Sequence, residues 1–189
     1  MHWPKSLMVP TKRIHLVTLF NKTMINAVAG EIWECGVFNG GSLCLLLANR
    51  PDPSRFVRAF DSFEGLPETS EHDNYYQKGG FGNADYDNLM GVVSLFENVE
   101  VRKGFIPETF AGLEESKIAF ALIDVDIYQS YLDCLEFIYP KVSAGGVIVF
   151  DDYNINKCKG ANVAVDQFLK HKPETLIRAG RCWHIIKEE

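Results

Sequence analysis

No two of the five cysteines form a C-x-x-C pair: Cys35, Cys44, Cys134, Cys158 and Cys182 are odd in number and widely spaced. That excludes a disulfide framework and a thiolate zinc site and points to a reducing compartment. A long apolar run is also missing. Lys5, Lys12, Arg13, His15 and Lys22 punctuate the N-terminal part, so neither a signal peptide nor a membrane span is expected, and the location expected is the cytoplasm. Positive charge is scarce. The formal net charge is -6, and the short basic pieces Lys12-Arg13 and Lys157 to Lys159 read as solvated positions. Nucleic acid is therefore a poor candidate partner. There is no internal repeat and no low-complexity tract.

What is present suits one core. The chain has 189 residues, 47% of them hydrophobic, enough for a single domain over 1–189. After Pro10, Thr11 is a candidate cap, and Ile14, Val17, Met24 and Val28 keep a helical period up to Gly30, predicting a helix over about 11–29. Short apolar runs then alternate with helical patterns: Glu31 to Cys35, Phe56 to Phe60, Val99 to Arg102, Ala119 to Ile123 and Gly146 to Phe150. This alternation predicts an α/β fold with parallel strands joined by crossover helices. "FALI" and "GVIVF" are apolar almost throughout and should be central, whereas the mixed "VEVRK" should be an edge. "ETLIRAG" and "RCWHIIK" flank Ala179-Gly180 with no room for a helix, which predicts an antiparallel hairpin closing the sheet. The stretch 68–85, "ETSEHDNYYQKGGFGNAD", is polar but carries Tyr75, Tyr76 and Phe81, and its length marks it as a candidate lid.

In such folds small ligands bind beyond the C-terminal ends of the strands. The first strand ends in "ECGVFNGG", with Glu34, Gly36 and Gly40 spaced E-x-G-x-x-x-G. This is not the pyrophosphate-binding G-x-G-x-x-G, and an acid there repels phosphate. It suits a cationic ligand, with Gly36 allowing close backbone approach. S-adenosylmethionine carries an amino group and a sulfonium. Asp61 ends the second strand, roughly 25 positions beyond Gly36, where an acid can bind ribose hydroxyls. As simple caps Glu34 and Asp61 would need no ligand, but the pair together with the glycines favours a nucleoside.

The fourth strand runs into "LIDVDIY" and the fifth into "IVFDDYN", so Asp124, Asp126, Asp151 and Asp152 should converge on one sheet edge. Carboxylates so placed repel one another unless protons or a cation compensate, and an all-oxygen set favours Mg²⁺ or Ca²⁺ over zinc. Asp126 is the one expected to cap the following helix, near Ile127. His72 and His184 read as ordinary surface and core histidines.

With these residues in view, the chain resembles the macrocin (TylF/MycF) O-methyltransferases, class I enzymes that use S-adenosylmethionine and Mg²⁺ on sugar hydroxyls. The likeness runs from about Gly30 to Phe168. It is carried by "GEIWECGVFNGGS", "FDSFEGLP", "KGFIPETF", "DVDIYQSYLDCLEFIYPKVSAGGVIVFDDY" and "VAVDQF". The resemblance implies a Rossmann-like sheet of seven strands in the order 3-2-1-4-5-7-6, the last antiparallel. It implies that Glu34, Gly36, Gly40 and Ser42 line the methionine part of the cofactor, that Asp61 and Ser62 take the ribose end, and that Asp124, Asp151 and Asp152 bind the metal. Asp124 would also receive the hydroxyl proton. Only about thirty residues precede the glycine turn, where family members often carry a longer N-terminal part that helps cover the substrate. Related catechol-type enzymes place a lysine three positions after the first metal aspartate. Here that position is Ile127, so metal-assisted deprotonation or Asp124 itself is expected to serve.

The partner expected is a small-molecule hydroxyl acceptor; a homo-oligomer is compatible with the sequence. Three other readings of the acids compete with this one. "DVD" after an apolar strand also occurs in metal-dependent glycosyltransferases, but Glu34 and the lack of basic phosphate-binding residues beside the acids count against one. A non-catalytic nucleoside-binding module would leave four acids as an unexplained electrostatic cost. A D-x-D phosphatase fails because its nucleophile belongs on the first strand.

Overall fold

The structure is a computed structural model and describes residues 2–188. Its elements are α1 (Pro10–Ile25), β1 (Glu31–Cys35), α2 (Gly41–Asn49), β2 (Val57–Asp61), α3 (Tyr86–Val93), β3 (Val99–Lys103), β4 (Ile118–Ile123), α4 (Tyr128–Ile138), β5 (Val142–Phe150), α5 (Lys159–Leu169), β6 (Ile177–Ala179) and β7 (Cys182–Ile186). The strands form one sheet in the order β3-β2-β1-β4-β5-β7-β6. β1 to β5 pair in parallel, and β7 runs antiparallel to both β5 and β6. This is the predicted order and hairpin. All residues of β4 are buried, as its apolar run requires, and none of the edge strand β3 is.

Alternation along the strands divides the interior between the two sheet faces. Trp33, Cys35, Ala121, Ile123, Ile148 and Phe150 pack with Tyr131, Leu135 and Val165 of α4 and α5. Ile32, Phe120, Leu122, Val147 and Val149 pack on the other side with Leu16 and Phe20 of α1 and Leu43 and Leu46 of α2. Glu34, two residues from Ile32, therefore faces the α2 layer.

Three boundaries differ from the expectation. α1 starts with Pro10 at its first turn, uses Val9 as its N-cap in place of Thr11, and ends at Ile25. Ala27, at φ 54°, has already left the helical region. Gly30 is not a helix stop. A Cβ there would meet Lys117 O, Ile118 C and Ala119 N at 2.7 Å, so its small size lets β1 enter beside β4. The buried face of α1 is also out of phase with the predicted one: Lys12, Leu16, Leu19, Phe20, Thr23 and Met24 face inward, while Ile14 is 65% exposed. Lastly, β5 begins at Val142. The predicted run starts only at Gly146; an irregularity between the pairs Ile118↔Val142 and Phe120↔Val147 takes up the extra residues within the strand.

Gly36 makes the tightest passage at the functional edge. Its φ is +83°, and a Cβ would lie 1.7 Å from the Asp124 carbonyl oxygen, so the ends of β1 and β4 can approach only around a glycine. The side chain is excluded by backbone contact as well as by the needs of any ligand. Gly36→Ala is expected to destabilise the protein by about 3 kcal/mol or more. A fall in the urea midpoint at unchanged m-value would report it, and an unshifted midpoint would contradict the steric account.

Candidate active site

The parallel strands deliver their C-terminal ends to one edge, where a cavity of about 720 Å³ opens. Gly36 to Asn39, Gly41, Ser42, Asp61 and Ser62 line one half; Asp124, Asp126, Asp151 and Asp152 line the other. Residues 5–9 and Lys12 approach from the N-terminal side, and Tyr76 and Phe81 of the 68–85 loop also face the space.

At the first half, Asp61 is the organising residue. Its Oδ2 accepts the N–H groups of Val37 and Phe38 at 2.7 and 2.8 Å, and Oδ1 accepts that of Phe63 at 2.7 Å. One carboxylate thus holds the turn after β1 against the turn after β2. Oδ2 is filled by its two N–H donors, while Oδ1 keeps a further lone pair for a ligand in the cavity. Ser62 donates to Gly65 O at 2.7 Å and accepts from Glu64 N–H at 3.1 Å, so its hydroxyl is used within the "DSFEGLP" turn. Gly40, at φ +84°, is the N-cap of α2 and packs on Leu89 instead of facing the cavity.

Glu34 departs from the expected direct contact with a ligand. It is fully buried and does not line the cavity; Ser42 Oγ stands between, donating to Glu34 Oε1 at 2.6 Å. Glu34 Oε2 has no hydrogen-bond partner among the described residues. Burial pushes its carboxyl up to about 8, the Ser42 bond opposes this, and Asp151 and Asp61 add to it. Its influence on the cavity is exerted through Ser42, whose lone pairs remain free to accept from a donor.

At the second half, Asp124, Asp151 and Asp152 each bring a carboxylate oxygen within 4.8 Å of the others. Burial first, then the neighbouring carboxylates, hold Asp124 and Asp152 well above the ordinary carboxyl range; burial also raises Asp151, against the pull of Lys12. Asp151 Oδ1 is buried without a partner. Asp152 Oδ2 accepts the Asp126 N–H at 3.0 Å and lies 3.0 Å from the Tyr131 hydroxyl, which in turn accepts the Asp152 N–H at 3.1 Å. An all-oxygen donor set with a spare buried carboxylate oxygen fits a hard divalent cation.

Asp126 is not the helix cap. It sits at φ 61°, and the N–H of Tyr128, first residue of α4, is accepted at 3.0 Å by Asp73 from the 68–85 loop. Asp126 instead lies beside Tyr76 and 3.8 Å from Cys158 Sγ. The loop is thereby tied to the start of α4. Ile127 is fully buried. His72 packs on the Tyr128 ring, and His184 is buried in β7; neither lines the cavity.

Lys12 overturns a reading. It is 7% exposed, and its Nζ donates to Asp151 Oδ2 at 2.6 Å and to the Asp151 carbonyl at 2.5 Å. The signal for it lay in the spacing Lys12, Leu16, Leu19, Phe20, which puts a lysine on an apolar helix face. Tyr131 carries no such signal; nothing in its local pattern separates it from a core aromatic.

A seven-stranded sheet of this order with flanking helices is the Rossmann-like fold of class I O-methyltransferases. The family model described as Macrocin-O-methyltransferase (TylF) matches residues 1–176. Among curated relatives, a tetracenomycin 4'-O-methyltransferase of Streptomyces olivaceus is 29% identical over 84% of this chain and 67% of its own length. Demethyldecarbamoylnovobiocin O-methyltransferase of Streptomyces niveus is 29% identical over 88% of this chain and 69% of its own. The solved structure of the O-methyltransferase NovP superposes with a TM-score of 0.81 at 25% identity, covering 97% of this chain and 82% of that one. The chain belongs to the macrocin O-methyltransferase (TylF) family, and is an S-adenosylmethionine-dependent O-methyltransferase. The glycosyltransferase and binding-module readings are not favoured.

The raised Glu34 carboxyl gives a pH prediction. A folded value of about 8 against the ordinary 4.5 means that the fold prefers the protonated acid. That contribution is complete below the unfolded value and is lost as pH rises toward the folded one. Without cofactor, Glu34→Gln should match the wild type near pH 5 and exceed its thermal stability at about pH 9. Parallel melting curves across that range would contradict a buried, protonated Glu34.

Proposed function

We propose that this protein transfers the S-adenosylmethionine methyl group to a hydroxyl of a sugar or polyhydroxylated natural product, with Mg²⁺ held by Asp124, Asp151 and Asp152. The observation that carries the reading is the placement of three carboxylates within 4.8 Å of one another in the same cavity as the Asp61-held glycine turn. The acceptor class is supported by the relatives, one of which is named for a rhamnosyl-bearing tetracenomycin and another for a novobiocin precursor. Five unpaired, buried cysteines fit the reducing cytoplasm, and no helix among the described residues is long and apolar enough to cross a membrane.

When bound, Mg²⁺ would hold an acceptor hydroxyl and lower its pKa. The remaining work belongs to the chain. Gly36, Ser42, Asp61 and Ser62 receive the cofactor, with Glu34 acting behind Ser42 as a buried acid that a cationic ligand would draw toward its ionised form. Asp124, at the cavity wall, accepts the hydroxyl proton. Tyr131 and the Asp126 N–H fix the orientation of Asp152. Tyr76 and Phe81 lie over the cavity, and the 68–85 loop acts as a lid that keeps water from the methyl group.

Asp124→Asn tests the assignment, since it keeps the shape and removes one negative charge. Turnover on a glycosylated acceptor is expected to fall on the order of 10³-fold or more. Calorimetry should find S-adenosylhomocysteine binding close to wild type. Near-normal turnover of the variant in the presence of chelator would make the carboxylates structural.

A further inference from the structure

Among the described residues, one ion pair reaches the carboxylate triad, that of Lys12 with Asp151. It comes from the first turn of α1, far away in sequence, and the lysine is at least as buried as the carboxylate it meets. A buried ammonium is costly unless its charge is compensated, and here compensation comes from Asp151 directly and from Asp124 and Asp152 at longer range. The charges facing Lys12 from β4, β5 and the turns after them are all negative: Asp124, Asp126, Asp151 and Asp152. Lys12 therefore occupies the position of a counter-ion within the site proposed for the metal, while Asp151 Oδ1 is left free.

We infer that Lys12 is a built-in counter-cation of the triad: it holds the carboxylates together without a metal and lowers their affinity for a divalent ion. The inference rests on the metal reading above. A divalent ion that engages Asp151 must either displace the ammonium or bind beside it, and in both cases Lys12 repels it across one carboxylate. The same contact joins metal occupancy to the packing of α1 and of residues 5–9, which lie along the cavity.

The test is Mn²⁺ binding, read as loss of the free-ion paramagnetic resonance signal, for the wild type, Lys12→Gln and Lys12→Arg. Lys12→Gln is expected to bind Mn²⁺ at least about tenfold more tightly and to melt at a lower temperature without metal, with saturating Mn²⁺ restoring stability. Lys12→Arg keeps the charge and should stay within about threefold of the wild-type affinity. S-adenosylhomocysteine affinity serves as the control and should not differ among the three. If Lys12→Gln does not fold without the ion, the Mn²⁺ concentration that refolds it takes the place of the titration. Refolding below the wild-type dissociation constant supports the inference; refolding only above it, or not at all, overturns it. Wild-type binding with unchanged or weaker affinity in Lys12→Gln overturns the inference and leaves the metal reading standing. Absence of binding in the wild type and both variants removes both.

Discussion

Parallel strands that end on one edge force Asp124, Asp151 and Asp152 together, and the rest of the site is arranged around the resulting repulsion. In a buried setting such carboxylates hold their protons or recruit positive charge. The structure uses several compensations at once. Lys12 neutralises Asp151, the Tyr131 hydroxyl and the Asp126 N–H serve Asp152, and burial raises the pKa values of all three acids. Among the described residues Asp151 Oδ1 is still unpartnered, which is costly for a buried carboxylate oxygen.

The half of the cavity around the glycine turn solves a different problem, that of holding a turn open without filling it. Asp61 does so by accepting three backbone N–H groups from two loops. Gly36 allows the turn to leave β1 against the backbone of Asp124, which couples the two halves of the cavity mechanically. A change at the glycine turn is therefore felt at the triad. Glu34 and Ser42 add an electrostatic link, since Asp151 contributes to the raised Glu34 carboxyl. The 68–85 loop ties in from above through Asp73 on α4 and Tyr76 beside Asp126.

Family membership and the geometry support one another at different levels. The match over residues 1–176 defines the chemistry, methyl transfer to oxygen. The geometry brings the Asp61-held turn and the carboxylates to one cavity, with Lys12 of the N-terminal helix at its wall.

The central position of β4 and β5, the edge position of β3 and the closing hairpin were legible in the sequence, because burial on both faces or one leaves a periodic record in neighbouring residues, whereas the full strand order was implied by the family resemblance. The convergence of Asp124, Asp151 and Asp152 was legible for the same reason: each follows directly on a strand whose direction the pattern had defined. Motifs of residues adjacent in the chain also carried the family resemblance. What depended on contacts between distant segments was not legible. Lys12 meets Asp151 across the whole chain, Asp73 in place of Asp126 caps α4, and Glu34 is screened by Ser42 because strand alternation turns it toward α2. A helix face is defined by its partner as much as by its own spacing, so the phase of α1, and with it the burial of a lysine, was decided only when the sheet and the helix packed together.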